Sequence, residues 1–70
     1  MNPEALVQVN GQARRLPSGT TVAALLQSMD LAGRRVAVEL NQVIVPRSQH
    51  GSTLLIEGDR IEIVVAVGGG

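Results

Sequence analysis

The residues with the most unusual chemical potential are the last three, Gly68-Gly69-Gly70. Fully extended, three residues reach about 10 Å past the last packed side chain. Without Cβ atoms they fit a channel too narrow for any other sequence. Such a tail can carry the α-carboxylate of Gly70 into the active site of another protein. A carboxylate resists nucleophiles until its oxygen becomes a leaving group, for example by transfer of AMP from ATP. The chain offers no phosphate cradle for that step, because Gly19 and Gly33 stand alone and the terminal glycines open no helix. No cofactor is therefore expected on this chain, and activation falls to an ATP-using partner. The competing reading is an inert, frayed end, for which glycine is equally suited.

The other polar candidates are weaker. His50 lies between Ser48 and Ser52 in Arg47-Ser48-Gln49-His50-Gly51-Ser52, a polar stretch that follows Pro46. A general base needs an oriented nucleophile and an orienting partner, and closeness in sequence supplies neither. His50 is read as a loop histidine with no catalytic role and, lacking a second histidine, no metal. No polar constellation combines a nucleophile, a base and oxyanion donors, so no catalytic residue is assigned. The absence of lysine and cysteine removes Schiff-base chemistry, thiolate nucleophiles and zinc-thiolate sites.

Composition narrows the partners. Six arginines balance six acids in a chain of 70 residues, for a formal net charge of zero. That leaves no electrostatic footprint for nucleic acid or an anionic membrane. With no Phe, Tyr or Trp there is nothing on which a base could stack. The chain is 44% hydrophobic and 17% charged, so it is expected to fold, as one domain. A signal-peptide pattern and a membrane-length apolar run are both missing from the sequence, and a cysteine-free small domain fits a cytoplasmic setting.

Hydropathy patterning supplies the scaffold. Ala5, Val7 and Val9 alternate with Leu6, Gln8 and Asn10, as in a half-buried strand. Asn10-Gly11 suits a tight hairpin turn, so Gln12 to Leu16 should return antiparallel. Thr20 or Thr21 can cap a helix whose stripe is Val22, Leu25, Leu26 and Met29. Asp30-Leu31-Ala32-Gly33 should end it, with the glycine in the left-handed conformation. Val36, Val38 and Leu40 mark a third strand. Val43-Ile44-Val45 marks a brief edge strand stopped by Pro46, and Leu54-Leu55-Ile56 a short apolar return. Ile61, Ile63, Val65 and Val67 share the buried face of a last strand, Arg60 to Val67. The expected architecture is α+β, a mixed sheet of four to five strands with one helix across one face. Residues 1–67 form the domain and residues 68–70 a flexible glycine tail.

On the opposite face of the last strand Arg60 and Glu62 are polar, but Val64 and Ala66, nearest the tail, are not. With Leu6 and Ala37 they could form an apolar landing surface for a partner, or ordinary apolar scatter.

Several segments together carry a family resemblance: Val9-Asn10-Gly11, Thr21-Val22-Ala23-Ala24-Leu25-Leu26, Val36-Ala37-Val38-Glu39-Leu40-Asn41, Ile44-Val45-Pro46-Arg47-Ser48, Gly58-Asp59-Arg60-Ile61-Glu62-Ile63-Val64 and Ala66-Val67-Gly68-Gly69-Gly70. Across nearly its whole length the chain resembles the ubiquitin-like β-grasp sulfur carriers of thiamine biosynthesis, the ThiS family. The resemblance implies that the Gly70 carboxylate, threaded by Gly68 and Gly69, is adenylated with ATP by an E1-like adenylyltransferase of the ThiF type. It would then be converted to a thiocarboxylate by a sulfur-donating enzyme such as a cysteine desulfurase, and would give its sulfur to a thiazole synthase of the ThiG type. The protein would be a cosubstrate and not an enzyme. The family needs a terminal Gly-Gly, and here a third glycine precedes it. Rival readings are the small subunit of molybdopterin synthase, a ubiquitin-like modifier, and a binding module whose tail is idle.

Overall fold

The first hairpin forms because Asn10 and Gly11 both adopt positive φ, 52° and 82°, as its two-residue turn requires. The turn joins β1 (Glu4–Val9) to β2 (Gln12–Pro17) in antiparallel register, with Ala5 opposite Leu16 and Val9 opposite Gln12. These strands belong to a computed structural model that describes residues 3–66. The helix α1 (Val22–Ser28) follows, then β3 (Val36–Leu40), β4 (Val43–Ile44), a 3₁₀ turn at Arg47–Gln49, and β5 (Arg60–Val65). The sheet order is β2-β1-β5-β3-β4. Among the described residues only the β1 and β5 pair is parallel, with Gln8 opposite Arg60. The chain is thus a mixed five-stranded sheet crossed by one helix, as expected.

Thr21, not Thr20, caps the helix. Its hydroxyl oxygen accepts from the Ala24 N–H at 3.1 Å, satisfying one of the donors that a helix start leaves without an intrahelical partner. Thr20 instead donates to the Pro17 carbonyl. Val22, Leu25 and Leu26 are buried, and Met29 packs against the core from its margin. The residue that turns left-handed just past the helix is Asp30, with φ 63°, where a short polar side chain is tolerated. Gly33 adopts positive φ three residues later.

The core lies between the helix and one sheet face. It joins Ala5, Val7 and Val9 of β1 to Leu16, Val38, Ile61 and Ile63, with Val22, Leu25 and Leu26 above them. The strand positions are those that period-two alternation selects. Val65 is only partly buried, and Val67, expected on this face, lies outside the described residues, as does the division between residues 67 and 68. β4 is the edge strand that Pro46 predicts. Leu54-Leu55-Ile56 is not a strand of the sheet. Leu54 makes a single bridge to Thr21, Leu55 alone is buried, and Leu54 and Ile56 are exposed. Short apolar triplets carry too little periodicity to fix which member faces inward.

Candidate functional site

β5 leads into the glycine tail, and two asparagines fix its position. β1 leaves the sheet after Val9, while the N–H and C=O of Ile63 still point to that side. The Asn10 carboxamide takes both: Oδ1 accepts from the Ile63 N–H at 2.7 Å, and Nδ2 donates to its carbonyl at 3.2 Å. One side chain thus supplies the ladder partners that another residue of β1 would have given. Asn41 acts on the opposite side of β5. Its Oδ1 accepts from the Arg60 N–H at 3.0 Å, and its Nδ2 donates to Asp59 Oδ1 at 3.0 Å. Asp59 is buried, and its Oδ2 also accepts from the Ile56 N–H at 2.9 Å, closing the turn before β5. Asn41 and Gln42 have φ of 51° and 70°, making the β3–β4 turn without glycine. The two asparagine clamps join residues 18, 19 and 53 positions apart, beyond the reach of local patterning.

His50 is buried, and its Nε2–H donates to the Val45 carbonyl at 3.1 Å. The His50 carbonyl accepts from the Ala23 N–H at 2.9 Å, and that of Thr53 from Val22 at 2.9 Å. The loop is thereby pinned to the start of α1. The Ser52 hydroxyl donates to the Gln49 carbonyl. His50 therefore braces the fold, and its ring proton serves the backbone. Among the described residues no group of three or more His, Cys, Asp or Glu could hold a metal ion, and no helix is long and apolar enough to cross a membrane.

The expected docking residues divide. Ala37 and Val64 are direct cross-strand partners on the sheet face away from the helix, and Val64 is 65% exposed. Ala66 follows on the same side, its N–H donating to the Arg35 carbonyl at 2.9 Å. Val64, Ala66 and Ala37 share one shallow groove with Arg35, Val36 and Arg47. Leu6 shares their face but not their place. It precedes Gln8 by two residues, Gln8 is level with Arg60, and Val64 lies four further on. Six residues of parallel strand separate them by about 20 Å. Leu6 lines a different groove, with Glu57 and Arg60. Leu6, Ala37 and Val64 all sit at outward positions of their strands, and the register between β1 and β5 keeps Leu6 away from the other two. Gly68, Gly69 and Gly70 lie outside the described residues.

A five-stranded mixed sheet of order β2-β1-β5-β3-β4 crossed by one helix is a β-grasp, the fold of the ubiquitin-like class. Comparison with known proteins makes this specific. The sequence model of the ThiS family matches residues 7–70, and the chain belongs to that family. It is 36% identical over 61 residues to the sulfur carrier protein ThiS of Escherichia coli, covering 87% of this chain and 92% of that protein. It is 42% identical over 62 residues to a thiazole synthase of Paramagnetospirillum magneticum, covering 89% of this chain. The chain spans only 19% of that synthase and 20% of a second, from Magnetococcus marinus. The crystal structure of the thiamine biosynthesis protein ThiS from Geobacter metallireducens matches with a TM-score of 0.78 and 29% identity, over 93% of this chain and 99% of the other.

Proposed function

We propose that this protein is the sulfur carrier of thiazole formation in thiamine biosynthesis, a cytoplasmic cosubstrate and not an enzyme. In this reading the Gly70 carboxylate oxygen attacks the α-phosphorus of ATP in an E1-like, ThiF-type adenylyltransferase and expels pyrophosphate. The terminal sulfur of a persulfide on a donor such as a cysteine desulfurase attacks the acyl carbon and expels AMP, leaving an acyl disulfide; a second thiol then attacks the donor's sulfur, forms a disulfide with it and releases the thiocarboxylate. The resulting thiocarboxylate passes its sulfur to a ThiG-type thiazole synthase. ATP and its Mg²⁺ belong to the adenylating partner. Gly68 and Gly69 thread the tail, while Val64, Ala37 and Ala66 supply the apolar landing surface at its root.

The observation that carries the reading is a family match that runs through the last residue, Gly70. Support for the acceptor comes from thiazole synthases that contain a segment similar to this chain, because two activities joined in one polypeptide act at high effective concentration. The test is a single-turnover transfer. Thiocarboxylated protein mixed with thiazole synthase and its small-molecule substrates should return to the carboxylate as thiazole forms. Return to the carboxylate only with molybdopterin synthase would move the carrier to the other pathway.

A further inference from the structure

The Ile44-Val45-Pro46-Arg47-Ser48 motif is not explained by folding alone, since Arg47 is exposed. Its backbone is nonetheless tightly held. The Gln49 N–H donates to the Pro46 carbonyl at 2.8 Å, the His50 N–H donates to the Arg47 carbonyl at 3.1 Å, and the His50 ring is tied to Val45. This fixed turn places Arg47 at the junction of two grooves. One contains Arg35, Ala37, Val64 and Ala66, at the root of the tail. The other runs beside the helix and contains Arg34. Three of the six arginines therefore gather where β5 ends, and among the described residues no Asp or Glu lines either groove. The next acids on this face, Glu39 and Glu62, are opposite one another. Glu39 is four residues from Arg35 along β3, about 13 Å.

We propose that Arg34, Arg35 and Arg47 form a cationic collar around the root of the tail that pairs with carboxylates on the rim of the adenylating protein's tail-accepting channel. This rests on the carrier reading given above. Contour length favours a protein carboxylate over the phosphates of the bound nucleotide. Gly70 lies four residues beyond Ala66, so the reacting carboxyl can lie up to about 14 Å beyond the collar. The collar then remains at the channel mouth while the chemistry proceeds inside. The neighbouring Val64 and Ala37 add apolar surface, which suits a protein interface with an apolar centre and a charged rim. Guanidinium groups pair with carboxylates bidentately and are weakly hydrated, so they suit a partly buried rim. A collar of this kind speeds encounter and fixes the rotation of the domain before the tail enters.

The test measures KM and kcat for this protein in ATP-dependent loading by the adenylating enzyme, between about 50 and 300 mM NaCl. The double variant Arg35→Glu with Arg47→Glu should raise KM about tenfold or more at low salt, with kcat held within about twofold and the salt dependence of wild type lost. Arg35→Gln with Arg47→Gln should fall between. Both side chains are exposed, and the structural bonds at these positions use their carbonyls, so the variants should melt with the wild type. Arg15→Glu, on β2 opposite Leu6, carries the same charge change elsewhere and should leave KM within about twofold. If wild type loads and the double variant matches its KM, or if Arg15→Glu has the same effect, the collar is refuted and the carrier reading stands. Competition by inorganic phosphate far beyond its ionic strength would also refute it, assigning the arginines to a phosphate. Failure of wild type to load would refute the carrier reading and the collar with it.

Discussion

Replacing Asn10 isolates the clamp that completes the β5 ladder at Ile63. In Asn10→Gly the backbone keeps its positive φ without strain, and only the two hydrogen bonds to Ile63 are lost. At a net 0.5–1.5 kcal/mol for each bond, the loss is about 2 kcal/mol. Asn10→Ala adds about 1 kcal/mol or more, because a Cβ without a polar side chain is disfavoured in the left-handed region. A domain of this size, with a core of Val, Leu and Ile, typically has about 3 to 5 kcal/mol in all, so the alanine variant should sit near the edge of unfolding. For the glycine variant the midpoint should fall by about 8 to 16 °C, at 4 to 8 °C per kcal/mol. Urea unfolding by circular dichroism gives the energy, and amide hydrogen exchange gives the location. The Ile63 amide should lose protection beyond the global change. A glycine variant within about 0.5 kcal/mol of wild type, with Ile63 protection intact, would refute the argument that Asn10 completes the β5 ladder.

Two further substitutions separate docking from folding. Val64→Asp puts a charge on an exposed apolar position; desolvating that charge against an apolar partner should raise the loading KM at least about tenfold while leaving the melting temperature nearly unchanged. Leu6→Asp, about 20 Å away along the parallel strands, should leave KM within about twofold, and equal effects at both sites would return Leu6 to the landing surface. Leu25→Ala removes a side chain with 0% exposure from the centre of the core; at about 3 to 5 kcal/mol it should leave the domain largely unfolded at 37 °C, as a thermal melt would show.

Local signals made most of the scaffold legible. Alternation in β1 and β5 identified the buried valines and isoleucines, the Asn10-Gly11 pair identified the hairpin, and Pro46 identified the edge. These patterns depend on neighbours a few residues apart, so a linear reading captures them. The second function of Asn10 was hidden because its partner, Ile63, is 53 residues away. The β3–β4 turn is hard to read locally, because its positive-φ pair, Asn41 and Gln42, contains no glycine to announce it. The left-handed residue after the helix is Asp30 because the chain must turn there, although glycine is the commoner choice. His50 is polar yet buried because Val45 offers its ring an acceptor, which composition does not reveal. The candidate site was legible as a face but not as a patch. Resolving Leu6 from Val64 needed the parallel register, and gathering Arg34, Arg35 and Arg47 needed the fold of the loop.

The central claim concerns one atom of the Gly70 carboxyl. The most direct measurement is the intact mass of the protein after incubation with ATP, an active ThiF-type adenylating enzyme and a sulfur source. The account predicts a mass gain equal to exchanging one oxygen for sulfur, dependent on ATP and abolished by deleting Gly70. An unchanged mass, with an enzyme that loads another carrier under the same conditions, would contradict it.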